Sequence, residues 1–161
     1  MDSSLRRRTA RSGGNRMADS PSTPEIVIMA SGGVALLGSF LPFVDVGGEF
    51  GVTISAWGDG LLPIATYVAI FGVLQALAVA LPRFAGTKLP RDVAGFTLPQ
   101  VHLVLGFFSA LIMVGYLILN DAKGIGFWLM FLAAAGLLVG AILLQREGSR
   151  PSTGPAPKSP F

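Results

Sequence analysis

Four long apolar runs, none of which contains Asp, Glu, Lys or Arg, limit what this chain can fold into. They cover residues 26–44, 61–81, 101–119 and 125–144. A helix needs about 20 mostly apolar residues to cross a bilayer, where it must satisfy its own backbone hydrogen bonds. A soluble core could bury one such run, but four in 161 residues would leave no polar surface. The sequence therefore predicts an all-α polytopic membrane protein, a bundle of four transmembrane helices.

The composition favours a lipid partner over nucleic acid. Charged residues make up 13% of the chain, against about 25% in soluble domains. The net charge is +3, but eleven of the twelve basic residues lie in the two ends and one connection. We therefore expect the lipid bilayer to be the main partner and expect no nucleic-acid binding. Because the chain has no Cys, disulfides, zinc–thiolate sites and thiol catalysis are excluded.

Both ends of the chain differ from its middle. Residues 1–25 are rich in Arg, Ser and Gly, and residues 145–161 are rich in Pro. Neither end can bury enough apolar surface to offset its ordering entropy, so we predict disordered tails around a transmembrane domain of residues 26–144. The first run follows 25 polar residues without a clear cleavage site, which favours a retained span. Whether translation starts at Met1 or Met17 stays open.

Orientation follows from the basic residues that flank the spans. Eleven of the twelve lie in the two tails and the connection after the second span, and Lys123 alone lies on the other side. Because Lys and Arg collect in cytoplasmic loops, we expect both termini in the cytoplasm. Trp57 and Trp128 would then anchor the outer membrane interface.

Short signals predict where the helices begin and end. Thr97 and Gln100 have the spacing of a capping box, which starts the third helix near Leu98. Pro82 is expected to end the second helix, and Pro42 to kink the last turn of the first.

Residues 44–46 and 50–52 flank two glycines and could form a small outer hairpin. The acidic residues of that loop lack calcium-site spacing, so we expect a solvated loop and no metal.

Small residues give every span a face for close helix packing. The fourth span carries a G-x-x-x-G at Gly136 and Gly140. The second carries a stripe that includes Ala65, Ala69, Gly72 and Ala76. We expect packing within one four-helix bundle, and homodimerisation through Gly136 and Gly140 is the alternative.

Few polar groups occur within the spans. Gln75 is the candidate polar residue of the bundle, either bonding a neighbouring helix or lining a solute path. His102 is the only histidine, so we expect a structural role near the cytoplasmic interface. No catalytic motif is present, so the sequence predicts no catalytic residues, no cofactor and no enzyme activity.

Several short motifs together resemble a known family. They are the G-S-F-L-P-F-V exit at 38–44, S-x-W-G at 55–58, the basic connection and G-x-G-x-W-L at 124–129. This layout resembles small four-span integral membrane proteins of actinobacteria, a family without an assigned activity. The resemblance covers about residues 26–146. It implies a plasma (inner) membrane and a cell-envelope context, and it transfers no functional residues.

The expected function is that of a non-enzymatic accessory or scaffold protein, in a homo-oligomer or a larger membrane complex. A small transporter or channel subunit is the alternative. Drug exporters of this size keep a carboxylate within the membrane to couple protons, and these spans contain none. A passive pore would need polar lining from several copies, with Gln75 as the candidate.

Overall fold

The computed structural model describes six segments of the chain. They are residues 20–47, 51–58, 64–90, 92–93, 95–119 and 122–149. The disorder predicted for residues 1–19 and 150–161 falls outside these segments, as do the loop acids Glu49 and Asp59.

Four α-helices dominate the described structure. They are α1 (Thr23–Phe40), α2 (Ile64–Phe84), α3 (Leu98–Leu119) and α4 (Ile125–Gly148). Each is long and apolar enough to cross a membrane. The prediction of an all-α bundle with four membrane-crossing helices is therefore confirmed.

The first helix is displaced toward the N-terminus relative to its predicted span. α1 starts at Thr23 because Ser22 and Glu25 form a capping box and Pro24 occupies the first turn. It ends at Phe40, where Leu41 turns to an extended backbone. The expectation that Pro42 kinks the last turn is wrong, because Pro42 begins a strand beyond the helix.

The other helix ends agree in part with the predicted signals. α3 starts at Leu98 as predicted, and Thr97 N–H donates to Gln100 Oε1 at 2.9 Å, which is one of the two hydrogen bonds of a capping box. Pro82 does not end α2, which continues to Phe84, since a proline near the last turn breaks few helical bonds. α4 continues to Gly148, so residues 145–148 are helical and not part of a disordered tail.

Two short hairpins lie at opposite ends of the bundle. At one end, β1 (Pro42–Val46) pairs antiparallel with β2 (Val52–Ser55), with Val44 opposite Ile54. We call this end, which has the longer hairpin, the hairpin end. The predicted hairpin is present, although its second strand starts later than expected. At the opposite, basic end, where α1 and α3 begin and α2 and α4 end, β3 (Asp92–Val93) pairs with β4 (Phe96–Thr97).

Side chains of β1 close the hairpin end of the bundle. Phe43 is fully buried and packs edge-on against Phe127 of α4, with ring centroids 5.5 Å apart. Tyr116 of α3 also packs edge-on against Phe43, with ring centroids 5.1 Å apart. The backbone of the α3–α4 connection holds the strand in place, because Gly124 N–H donates to the Phe43 carbonyl at 2.9 Å.

Glycines bring the helix backbones into contact. A Cβ added to Gly32 of α1 would collide with the Gly72 carbonyl and lie 2.7 Å from Ala76 Cβ on α2. One added to Gly106 of α3 would lie 3.0 Å from the Leu138 Cα of α4. α1 packs extensively on both α2 and α4, and α3 packs more on α4 than on α2. Of the four interfaces between neighbouring helices, the one between α2 and α3 is therefore the smallest.

Two adjacent glycines of α1 provide a matched test of this packing. Gly32→Ala should destabilise the bundle by about 1–3 kcal/mol, because its methyl has no space against α2. Gly33→Ala should be neutral or stabilising by up to about 1 kcal/mol, because nothing lies within 4 Å of its added Cβ. Unfolding of both variants in mixed SDS micelles checks the prediction, which equal stabilities would contradict.

Candidate ligand cavity between the second and third helices

Four polar side chains are buried in the part of the chain that the structure describes: Ser39, Gln75, His102 and Ser109. The two serines have partners. Ser39 Oγ donates to the Leu36 carbonyl at 2.6 Å and accepts from the Trp57 indole N–H at 2.9 Å. Ser109 Oγ donates to the Leu105 carbonyl at 2.9 Å. Both serines therefore contribute to the bundle itself and are not available to a ligand.

Gln75 and His102 differ from the serines because they lack hydrogen-bond partners. The Gln75 side chain is 1% exposed, and neither Nε2 nor Oε1 forms a hydrogen bond. His102 is 4% exposed, and its Nδ1 has no partner. A buried polar group without a partner costs about 1–3 kcal/mol, and such groups are uncommon in native proteins. Two of them in one small bundle require a physical explanation.

Both residues line one cavity of about 270 Å³, which we call the neutral cavity. It lies between α2, α3 and the connection that joins them. Its other walls are apolar and include Leu74, Ala78, Leu89, Pro90, Val101 and Leu105. None of the described residues that line it carries a charge. The neutral cavity thus combines an apolar wall with two unpaired polar residues.

A second cavity, of about 570 Å³, adjoins the neutral cavity at the basic end and shares Ala78, Leu98 and His102 with it. We call it the ion-pair cavity because it contains Glu25 and Arg83. Glu25 Oε2 accepts from Arg83 Nη2 at 2.6 Å and from Arg83 Nε at 3.1 Å. This pair joins the start of α1 to the end of α2 and leaves the charges of the two groups mutually compensated.

The candidate interface residues lie together at the hairpin end. Trp57 is 45% exposed and stacks on Phe40, with ring centroids 5.8 Å apart. Trp128 is 46% exposed and contacts Phe127 and Phe131 on its own helix. Interface anchoring by both tryptophans stays a prediction.

The small residues singled out from the sequence lie between helices. Ala65, Ala69 and Gly72 of α2 are buried, and Ala76 is the neighbour of Gly32 described above. On α4, an added Cβ at Gly136 would meet Ser31, and one at Gly140 would meet Ile28. α1 therefore already covers the G-x-x-x-G face that homodimerisation would need.

The sequence indicates Gln75 and His102 as separate candidates and does not predict the cavity that they share. The signal available in the sequence was that α2 and α3 are consecutive helices joined by a short connection and therefore pack antiparallel. Gln75 and His102 lie in the halves of α2 and α3 that adjoin their common connection, so antiparallel packing brings them to the same end. The described residues contain no group of three or more His, Cys, Asp or Glu that could hold a metal ion.

Comparison with known proteins gives no match: no family model fits the sequence, and no curated protein or solved structure is significantly similar to it.

Replacing the unpaired amide should stabilise the isolated protein. Gln75→Leu keeps a similar volume and removes two unsatisfied polar atoms, so we expect an increase of about 1–3 kcal/mol in the free energy of unfolding. Ser109→Ala is the matched control, since it removes a hydroxyl that does have a partner and should not stabilise. Denaturation in detergent checks both variants. A destabilised Gln75→Leu would show that the amide has a partner in the folded protein.

Proposed function

We propose that this chain is a non-enzymatic accessory or scaffold protein of the plasma membrane. The observation that carries the proposal is the close packing of the helices through Gly32, Gly72 and Gly106, whose backbones contact neighbouring helices directly. Such packing gives a small rigid frame suited to holding other membrane components in position. Phe43 and its aromatic neighbours fill the hairpin end, which opposes a continuous path along the bundle axis.

The charges at the two ends support cytoplasmic termini. Arg83 lies at the end of α2 and Arg146 at the end of α4, both at the basic end. Lys123 lies at the hairpin end, where its backbone forms an isolated antiparallel β-bridge with Val44 of β1. The positive-inside rule then places the basic end in the cytoplasm. The resemblance to actinobacterial four-span proteins further supports a cell-envelope context.

The accessory role would involve a homo-oligomer or a larger membrane complex. Since α1 covers the Gly136–Gly140 face, an interaction surface would lie elsewhere, and the outer face of α3 presents several large exposed apolar side chains. They include Phe107, Phe108, Leu111 and Ile118.

Isolation of the protein in its native lipids tests the accessory role. We expect tagged protein extracted into nanodiscs to retain a defined membrane-protein partner or further copies of itself. Leu111→Ala, on the exposed face of α3, should weaken that association. Ala135→Leu, an exposed change on α4, is the control. Two results together would contradict the proposal: the protein purifies as a monomer with no other protein, and cells that lack the gene have an unchanged envelope.

A subunit of a small transporter or channel is the second candidate, because Gln75 lines a cavity and its buried amide has no partner. Liposome flux of small solutes through the parent protein and Gln75→Leu separates the two functions. The accessory role predicts background flux for both proteins. Flux through the parent that the substitution abolishes would establish the transport function instead.

A further inference from the structure

We propose that the neutral cavity binds the uncharged, hydroxyl-bearing head of a membrane lipid of the diacylglycerol type. This inference goes beyond the accessory role and does not depend on a protein partner. It starts from two residues on different helices, Gln75 and His102, that line the same cavity and whose buried polar atoms have no partner.

The polar atoms define the chemistry of the head. The Gln75 amide can donate through Nε2 and accept through Oε1, and His102 Nδ1 donates or accepts according to its tautomer. A hydroxyl, which both donates and accepts, matches such a mixed set once the flexible Gln75 side chain turns toward it.

The charge of the surroundings selects an uncharged head. The described lining of the neutral cavity has no cation to compensate a phosphate and no anion to compensate an amine. Burying an uncompensated charge in such a site is strongly unfavourable. The described lining of the adjoining cavity contains Glu25, Arg83 and Glu147, and its one cation, Arg83, is already paired with Glu25, so it adds no free positive charge for a phosphate. Phosphatidic acid should therefore bind poorly where diacylglycerol binds.

The shape of the cavity favours a ligand that arrives from the bilayer. Leu74 lines the cavity and is 51% exposed on the outer face of α2, so the cavity reaches the surface that faces lipid. Its volume of about 270 Å³ is below the range of roughly 300–1,000 Å³ for complete drug-sized ligands. It suits a head group whose acyl chains remain in the membrane between α2 and α3.

Photoaffinity labelling in phosphatidylcholine nanodiscs tests the proposal. The probes are a diacylglycerol and a phosphatidic acid that carry the same photoreactive acyl chain. We expect diacylglycerol to label α2 and α3 beside the cavity at least about fivefold more than phosphatidic acid does. A factor of this size corresponds to about one net hydrogen bond. Unlabelled diacylglycerol should compete for the labelling.

Three variants make the test specific for the cavity. Gln75→Leu, which should fold stably, removes the amide and should reduce diacylglycerol labelling to the phosphatidic acid level. Ala78→Phe fills the cavity without removing Gln75 or His102 and should do the same. Ala135→Leu, on the exposed face of α4, should label like the parent. Equal labelling by the two lipids, unchanged labelling of Gln75→Leu or Ala78→Phe, or no labelling above background would each overturn the proposal.

Discussion

The rest of this structure depends on the need to satisfy every backbone hydrogen bond within lipid. In hydrocarbon there is no water to pair with an exposed N–H or carbonyl, so the apolar runs must be helical. Lipid also removes most of the hydrophobic drive for one helix to bind another, so association relies on close contact. Gly32 and Gly106 provide that contact because their missing side chains let neighbouring backbones approach. Helix formation and helix packing are thus two consequences of the same solvent.

The two ends of the bundle meet this constraint differently. At the hairpin end, the Phe43 side chain fills the space between helices, and the Ser39 hydroxyl accepts a hydrogen bond from the Trp57 indole. At the basic end, α2 and α3 separate around a cavity, and Gln75 and His102 have unpaired atoms. A protein with no further role would gain stability from an apolar residue at position 75. If the proposed lipid site is correct, the unpaired amide makes the α2–α3 interface the region where binding and stability make opposite demands.

The sequence predicted the fold well and the cavity poorly, for physical reasons. Uncharged runs of about 20 residues specify membrane-crossing helices directly, and the Thr97–Gln100 spacing located the start of α3 because capping is a local interaction. The helix ends predicted from Pro42 and Pro82 were wrong by a few residues, because a proline marks a helix end only approximately. The shared position of Gln75 and His102 depends on how two helices pack, which neither local sequence encodes.

Single-cysteine accessibility in intact cells tests most directly whether four helices cross the membrane with the basic end inside. The chain has no Cys, so each introduced residue gives an isolated signal. With a membrane-impermeant maleimide, Thr53→Cys in β2 should react from outside. Lys88→Cys in the α2–α3 connection and Ser149→Cys after α4 should react only once the membrane is opened. Labelling of Lys88→Cys or Ser149→Cys in intact cells, or protection of Thr53→Cys, would contradict the account.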